Sequence, residues 1–264
     1  MNIHSAPPRG NAVTRNILGV AVACFGWDAG IDHLARLLAE RRFTKVSFLN
    51  AHNANIACED EVFARALGEF LVLPDGIGVD IASRMLYGEP FPANLNGTDF
   101  VPALLQATAR PLTIALLGAR RVNAEAAAAK LAALAPQHRF VVVHDGFFTP
   151  EEEVGIVSNI HELRPDILLV AMGVPRQELW IARNIGPSDC TLPIAVGALL
   201  DFLSGAVPRA PLFLRKLRME WVFRLAIEPA RLWRRYVVGN PVFLARVLRQ
   251  KFFTPRSSAA GSVR

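Results

Sequence analysis

The stretch LPDGIGVD, residues 73–80, marks the point at which a buried strand ends and a helix begins. The apolar residues that lead into it predict a buried strand, and Pro74 ends that strand because proline cannot donate the next ladder hydrogen bond. Asp75 then lies at the carboxyl end of the strand. Gly76 and Gly78 permit a tight turn and the close approach of a ligand. The Asp75 carboxylate can therefore either cap the helix that follows or act as a base.

Apolar strands and amphipathic helices alternate on both sides of this stretch. We predict strands at residues 17–22, 45–49, 71–73, 112–117, 139–143, 167–171 and 193–196, and helices at residues 31–41, 60–67, 77–86, 100–109, 123–134, 150–163 and 176–184. This alternation is typical of crossover units on a parallel sheet. The sequence thus predicts an α/β fold, Rossmann-like, with a mainly parallel sheet and helices on both faces.

Small or polar residues follow six of the predicted strands. They are Asn50, Asp75, Gly118, Asp145 with Gly146, Gly173 and Gly197. In an open α/β sheet the carboxyl ends of the strands form the crevice that binds ligand. The pattern therefore predicts a nucleotide or sugar pocket at this edge.

Three local segments carry candidate binding residues. Asn50, His52 and Asn53 offer uncharged donors and acceptors suited to a polyhydroxylated ligand, although such a loop can also bond its own backbone. Thr98 and Asp99 close a second polar loop, where capping of the next helix is the alternative.

The third segment places Gly173, Arg176 and Gln177 at a predicted helix N-terminus. Free backbone amides there, with an arginine, suit a diphosphate. The alternative is that Arg176 is solvated and Glu178 merely complements the helix dipole.

The basic charge of the chain is concentrated at its C-terminal end. The 264 residues carry a net charge of +6, but residues 206–264 hold 13 Lys and Arg against 2 Asp and Glu. Basic residues beside aromatic ones fit a helix in an anionic membrane interface better than a nucleic-acid surface, so we expect no nucleic-acid partner. The residues assigned to this membrane contact are Arg215, Lys216, Arg218, Trp221 and Arg235.

Several classes of protein are disfavoured by what the sequence lacks. No apolar run approaches the roughly 18 residues of a membrane span, and no secretory signal is recognised, so we expect a peripheral protein on the cytoplasmic side of the membrane. P-loop, serine-hydrolase and metal-cluster motifs are missing, as is an Asp-x-Asp pair for a divalent ion. We therefore expect no cofactor, no metal site and metal-independent handling of a diphosphate.

Together these motifs resemble the WecG/TagA/CpsF glycosyltransferase family from about residue 17 to residue 248. The resemblance rests on Asn50, PDGIG at 74–78, GTD at 97–99, Gly118, DGF at 145–147, GVPRQE at 173–178, EW at 220–221, Arg224, EP at 228–229, Arg231 and Arg234. It implies an inverting, metal-independent enzyme with a Rossmann-like domain and a basic appendage. Such an enzyme moves a sugar from UDP to a polyprenyl-diphosphate-linked sugar at the inner membrane face.

The resemblance also implies roles for individual residues. Asp75 matches the proposed general base, Gln177 matches a residue near the nucleotide sugar, and Arg224, Arg231 and Arg234 match appendage arginines that stabilise leaving-group charge. The predicted boundaries are a flexible segment at 1–14, the glycosyltransferase domain at 15–205, a basic amphipathic membrane-associating appendage at 206–250 and a flexible tail at 251–264.

Two positions depart from the family pattern and bear on the substrate. Asn94 stands where several members have arginine, and Phe48 stands where a threonine is found. Because the polar loops look like those of the exopolysaccharide branch, we expect transfer of glucose from UDP-glucose to a lipid-linked glucose. The alternatives are N-acetylmannosaminyl or mannosaminuronosyl transfer to an N-acetylglucosaminyl lipid, and a non-catalytic nucleotide-sensing membrane scaffold. A homo-oligomer is left open.

Overall fold

The computed structural model describes residues 13–211, 214 and 220–253. The predicted membrane residues Arg215, Lys216 and Arg218 lie outside the described residues. So do most of the segment 1–14 and most of the tail 251–264.

Eight strands form one sheet, which is parallel except at one edge. The strands are β1 Thr14–Ile17, β2 Val20–Ala23, β3 Lys45–Leu49, β4 Phe70–Pro74, β5 Thr113–Gly118, β6 Arg139–His144, β7 Ile167–Ala171 and β8 Leu192–Ala195. Their order across the sheet is β1-β2-β4-β3-β8-β7-β5-β6, and only β1 and β2 pair antiparallel. Strands β3 and β7 are buried along their whole length, as expected for central parallel strands covered on both faces.

Helices cover both faces of the sheet. In chain order they are α1 Trp27–Ala39, α2 Ala51–Glu59, α3 Glu61–Leu67, α4 Ile77–Tyr87, α5 Gly97–Ala107, α6 Arg121–Leu134, α7 Pro150–Leu163, α8 Arg176–Asn184, α9 Leu199–Ser204, α10 Glu220–Ile227, α11 Pro229–Trp233 and α12 Gly239–Phe253, with a π-helical turn at Arg234–Val238 between the last two. One core cluster joins the sheet to α1, α5, α6 and α9, and the other joins it to α2, α3, α4, α7, α8 and α12. The predicted α/β fold with helices on both faces is confirmed.

Two local predictions were wrong. The predicted strand 17–22 is a hairpin, because Gly19 has φ +90° and its N–H donates to Asn16 Oδ1 at 2.8 Å, which turns the chain after Ile17. The polar segment after Asn50 is not a loop but helix α2. This segment has too few apolar residues to show a helical periodicity, so the sequence did not predict a helix there. Asn50 is the N-cap of α2 and accepts from two backbone amides.

The last helix belongs to the layer that covers the sheet. Helix α12 packs on α2 and α4, and its Phe243 and Val247 are fully buried in the second core cluster. Asn55 Nδ2 donates to Gly239 O at 2.7 Å, and Arg246 donates to Asn55 and pairs with Glu59. The C-terminal part of the predicted appendage is therefore anchored to α2.

A buried polar network ties α8 to the centre of the sheet. Glu178 Oε1 accepts from Ser47 Oγ at 3.0 Å and from Gln177 Nε2 at 2.9 Å, while Glu178 itself has no exposed surface. Its Oε2 is buried and has no hydrogen-bond partner among the described residues. Burial raises the pKa of Glu178 to about 7.

Replacing Gly118 by alanine should destabilise the fold. Gly118 has φ +122°, and an added Cβ would lie 2.3 Å from the carbonyl oxygen of Ala171 on the neighbouring strand β7. We expect Gly118→Ala to lower the free energy of unfolding by about 3 kcal/mol in urea titrations. Gly155→Ala is the control, because nothing lies near its Cβ position in α7, and it should be neutral or stabilise by up to about 1 kcal/mol. Equal stability of the two variants would contradict this account of the β5–β7 contact.

The buried Glu178 should make stability depend on pH. The pKa of Glu178 is raised in the folded state, so the folded protein binds the proton more tightly than the unfolded chain, and stability is lost as pH rises towards about 7. Between pH 5 and pH 8 we expect the wild type to lose about 3 kcal/mol more unfolding free energy than Glu178→Gln. The exposed Glu162→Gln control should keep the wild-type slope. If the unfolding free energies of the wild type and Glu178→Gln changed in parallel with pH, the pKa of Glu178 would not be raised in the folded protein.

Candidate active site

A cavity of about 880 Å³ opens at the carboxyl ends of the central strands. It lies where β3 and β8 are neighbours: the chain passes from β3 to β4 on one side, and it reaches β8 from β7 on the other. The predicted site residues that line it are Asn50, His52, Asn53, Asp75, Thr98, Gly146, Gly173, Arg176, Gln177, Arg224, Arg231 and Arg234. Helices α10 to α12 and the π-helical turn form one wall.

The Asp75 carboxylate is held in the cavity by the end of β3. Its backbone N–H donates to Leu49 O at 2.9 Å, and Asn50 Nδ2 donates to Asp75 Oδ2 at 3.3 Å. The N-cap of α4 is Gly76, with φ +90° and no side-chain capping bond, so Asp75 does not cap this helix. Gly76 N–H instead donates to Asn94 Oδ1 at 2.7 Å, which fixes the turn that follows Asp75.

The electrostatic surroundings of Asp75 act in opposite directions. Burial raises the pKa of Asp75, whereas the Asn50 hydrogen bond and the charges of Arg235 and Arg224 lower it. Burial is the largest contribution, so the pKa lies above that of an ordinary aspartate. A raised pKa makes the ionised carboxylate a stronger proton acceptor than a solvated one.

The first turn of α2 places the imidazole of His52 in the same cavity. Asn50 Oδ1 accepts from His52 N at 3.0 Å and from Asn53 N at 3.1 Å, which fixes the start of the helix. Burial and the charge of Arg235 lower the pKa of His52 to about 4. At neutral pH, His52 can therefore hydrogen-bond to a ligand without contributing charge.

Two predicted binding residues also hydrogen-bond to the backbone of neighbouring segments. Asn53 Nδ2 donates to Phe48 O at 2.8 Å, and Gln177 Oε1 accepts from Gly197 N at 3.0 Å. Gln177 thus braces the turn after β8 as well as lining the cavity.

Five predicted binding residues do not line the cavity: Gly76, Gly78, Asp99, Gly118 and Asp145. Gly78 allows α4 to approach Ala51 and Phe243, and Asp145 Oδ1 accepts from Phe147 N. Asp99 pairs with Arg209 at 2.9 Å. Their binding roles stay predictions, and the charge of Asp99 still raises the pKa of Asp75.

The arginines predicted from the C-terminal region converge on the cavity. The guanidinium of Arg224 lies 5.2 Å from the centroid of the Phe202 ring, and that of Arg234 lies 5.4 Å from the Trp233 ring. Arg231 pairs with Glu228 at 2.6 Å. On the opposite wall, Arg176 lies 5.0 Å from the Phe148 ring. Aromatic faces of this kind hold a guanidinium while leaving its in-plane donors available.

Two of the residues predicted to face a membrane, Arg235 and Trp221, lie within the described residues. Arg235 lines the cavity and interacts electrostatically with Asp75 and His52. Trp221 is half-buried, with its ring 5.7 Å from that of Tyr236.

Sequence reasoning missed other residues of the cavity. Met172, Asp201 and Phe202 line it without having been predicted, and Phe48, noted only as a departure from the family pattern, lines it as well. Asp201 accepts from Asn123 Nδ2 at 2.9 Å, so α6 positions it. Residues of this kind give no local sequence signal, because an apolar ring or a helical aspartate is compatible with many positions.

The described residues contain neither a group of metal-binding side chains nor a membrane-spanning helix. Within residues 13–211, 214 and 220–253, no group of three or more His, Cys, Asp or Glu residues is arranged to hold a metal ion. In the same residues, no helix combines the length and the apolarity that crossing a membrane requires.

Comparison with known proteins agrees with this geometry. The chain is similar to N-acetylglucosaminyldiphosphoundecaprenol N-acetyl-beta-D-mannosaminyltransferase of Staphylococcus aureus strains NCTC 8325 / PS 47 and COL, with 28% identity over 247 residues. The alignment covers 92% of this chain and 95% of each relative. The protein of strain MRSA252 is 27% identical over the same length. Residues 15–257 match the Glycosyl transferase WecG/TagA/CpsF family, and the chain therefore belongs to this family of glycosyltransferases.

Proposed function

We propose that this enzyme transfers N-acetylmannosamine from a UDP-sugar to N-acetylglucosaminyl-diphosphate-polyprenol with inversion at the anomeric carbon. The sugars are those in the name shared by the S. aureus relatives, which align along nearly their whole length. The observation that carries the proposal is the position of Asp75, a carboxylate with a raised pKa in a cavity whose other wall presents arginines.

In this proposal Asp75 takes the proton from the acceptor hydroxyl. The hydroxyl oxygen then forms a bond to the anomeric carbon from the face opposite UDP, and the bond between that carbon and the UDP oxygen breaks. The electron pair leaves with UDP, and Asp75 keeps the proton. Asn50 orients the carboxylate through its 3.3 Å hydrogen bond.

The arginines provide the charge that the departing diphosphate needs. Arg224, Arg231 and Arg234 line the cavity and present guanidinium groups, which bind phosphate oxygens through short, charge-assisted hydrogen bonds. Gly173 and Arg176, at the start of α8, extend this positive surface on the opposite wall. We propose that these groups stabilise the leaving group without a divalent ion.

The rim of the cavity suits an acceptor that is anchored in a membrane. Apolar side chains are exposed along α10, α11, the π-helical turn and α12, at Ile227, Trp233, Val237, Val238 and Val242. Val238 and Val242 also line the cavity. We propose that this rim lies against an anionic membrane surface on the cytoplasmic side, as a peripheral contact.

Glucosyl transfer to a lipid-linked glucose is the second candidate, and Phe48 and Asn94 favour it. Phe48 presents an apolar ring to the cavity where a threonine hydroxyl occurs in several family members. Asn94 is engaged with Gly76 and cannot supply the charge of an arginine. The names of the relatives favour the N-acetylated sugars more strongly. Membership of a glycosyltransferase family argues against the non-catalytic scaffold.

A panel of donors and acceptors should identify the substrates. We expect UDP release in detergent and EDTA with UDP-N-acetylmannosamine and a synthetic N-acetylglucosaminyl-diphosphate lipid. UDP-glucose with the same lipid should react at least ~100-fold more slowly, because the difference lies in hydrogen bonds to the sugar substituents. Release with UDP-glucose and a glucosyl-diphosphate lipid alone would establish the second candidate. Loss of activity in EDTA that Mg²⁺ restores would contradict metal independence.

Removing the Asp75 carboxylate should abolish turnover. We expect Asp75→Asn to lower kcat by about 10²–10⁴-fold, because the amide cannot accept the proton. The wild-type rate should fall as pH decreases through the raised pKa of Asp75, at a higher pH than an ordinary aspartate would give. Asp32→Asn, on the exposed surface of α1, is the matched control and should keep wild-type activity. Unchanged turnover in Asp75→Asn would assign the base to another residue.

A further inference from the structure

Arg235 lies inside the cavity although the sequence assigned it to the membrane. It belongs to the π-helical turn Arg234–Val238, which is followed directly by α12. Helix α12 is fixed to the domain by buried Phe243 and Val247 and by the bond from Asn55 to Gly239 O. The position of Arg235 is therefore set by packing on α2 and α4, and does not require a lipid surface.

The guanidinium of Arg235 has unused hydrogen-bonding capacity. Its Nε is buried and has no hydrogen-bond partner among the described residues, and the same holds for Nε of Arg224. A buried donor without a partner is costly in a folded protein unless a ligand completes it. Both side chains line the same cavity, so one ligand can reach both.

The charge balance of the cavity indicates the kind of ligand. Among the described residues, its lining contains five arginines, at positions 176, 224, 231, 234 and 235, against Glu59, Asp75 and Asp201. Arg231 is paired with Glu228, whereas loss of hydration and the neighbouring charges of Arg224 and Arg231 lower the pKa of Arg235. Like charges held together in a cavity favour an anion with several oxygens and more than one negative charge, and a diphosphate has both properties.

We propose that Arg235 binds the diphosphate of a substrate beside Asp75, together with Arg224, and is not a membrane-contact residue. This inference rests on the proposed function, in which both donor and lipid acceptor carry a diphosphate. The charge of Arg235 helps to lower the pKa of His52 to about 4, so His52 is neutral at pH 7. A neutral His52 adds no positive charge beside Arg235 and does not pair with it, so the guanidinium can bind the ligand.

The test compares Arg235→Gln with the wild type by equilibrium binding, so that it does not depend on turnover. UDP and a synthetic N-acetylglucosaminyl-diphosphate lipid in detergent are each titrated by calorimetry. We expect Arg235→Gln to weaken binding of at least one of them by roughly 10- to 100-fold, the effect of losing a charged hydrogen bond. Weaker UDP binding alone assigns Arg235 to the donor, and weaker lipid binding alone assigns it to the acceptor.

Two controls separate this role from a structural or membrane role. Arg249→Gln removes an exposed arginine from α12 and should leave both titrations unchanged. Sedimentation with vesicles containing anionic lipid should be the same for the wild type and Arg235→Gln. If Arg235→Gln does not fold, Arg235→Lys carries the test, because it keeps the charge but loses the planar fork and should still weaken binding several-fold.

The outcomes that overturn the inference are distinct from those that overturn the proposed function. Unchanged titrations in Arg235→Gln, with or without weaker vesicle binding, would overturn the assignment of Arg235. A wild type that binds UDP and the lipid but never releases UDP from any donor would overturn the proposed function, and the Arg235 comparison would still stand. A wild type that binds neither ligand would overturn both.

Discussion

The two hydrogen-bonding ends of the Asn50 side chain connect the Asp75 carboxylate to the rest of the cavity. Oδ1 accepts from two backbone amides and so starts α2, while Nδ2 donates to Asp75 on the neighbouring strand end. Helix α2 in turn supports α12 through Asn55, and α12 follows the turn that contains Arg235. A single amide at the end of β3 therefore links the carboxylate to the wall of arginines across the cavity.

In the cavity, Asp75 and the arginines partly offset the effect that burial has on the ionisation of each of them. A carboxylate out of water tends to take up a proton, and a guanidinium out of water loses the hydration that stabilises its charge. In this cavity the two effects oppose each other, because the charges of Arg235 and Arg224 lower the pKa of Asp75 while Asp75 favours the charged form of Arg235. In the proposed reaction, a bound diphosphate would neutralise part of the arginine charge. Asp75 would then become more basic when both substrates are in place.

Local sequence patterns were informative where one residue has one physical consequence. Pro74 is the last residue of β4, the helix predicted at residues 150–163 is α7, and the polar strand ends meet at one edge of the sheet. Patterns were less informative where the consequence depends on distant contacts. Asn53 and Gln177 were predicted as ligand-binding side chains, yet their amides also satisfy backbone groups of neighbouring segments. Nothing in a single sequence says which partner an amide will find.

By itself, the sequence determined the α/β fold, the edge of the sheet that carries the site and Asp75 as its central carboxylate. These features follow from strand hydrophobicity, from turn chemistry and from the rule that parallel strands end together. Only the tertiary structure decided that Arg235, together with the predicted Arg224, acts on that carboxylate. Arg235 turns into the cavity because Phe243 and Val247 bury α12 against the domain and because the turn before α12 is π-helical. The direction of a side chain beyond such a turn depends on packing across the fold, which local periodicity does not contain.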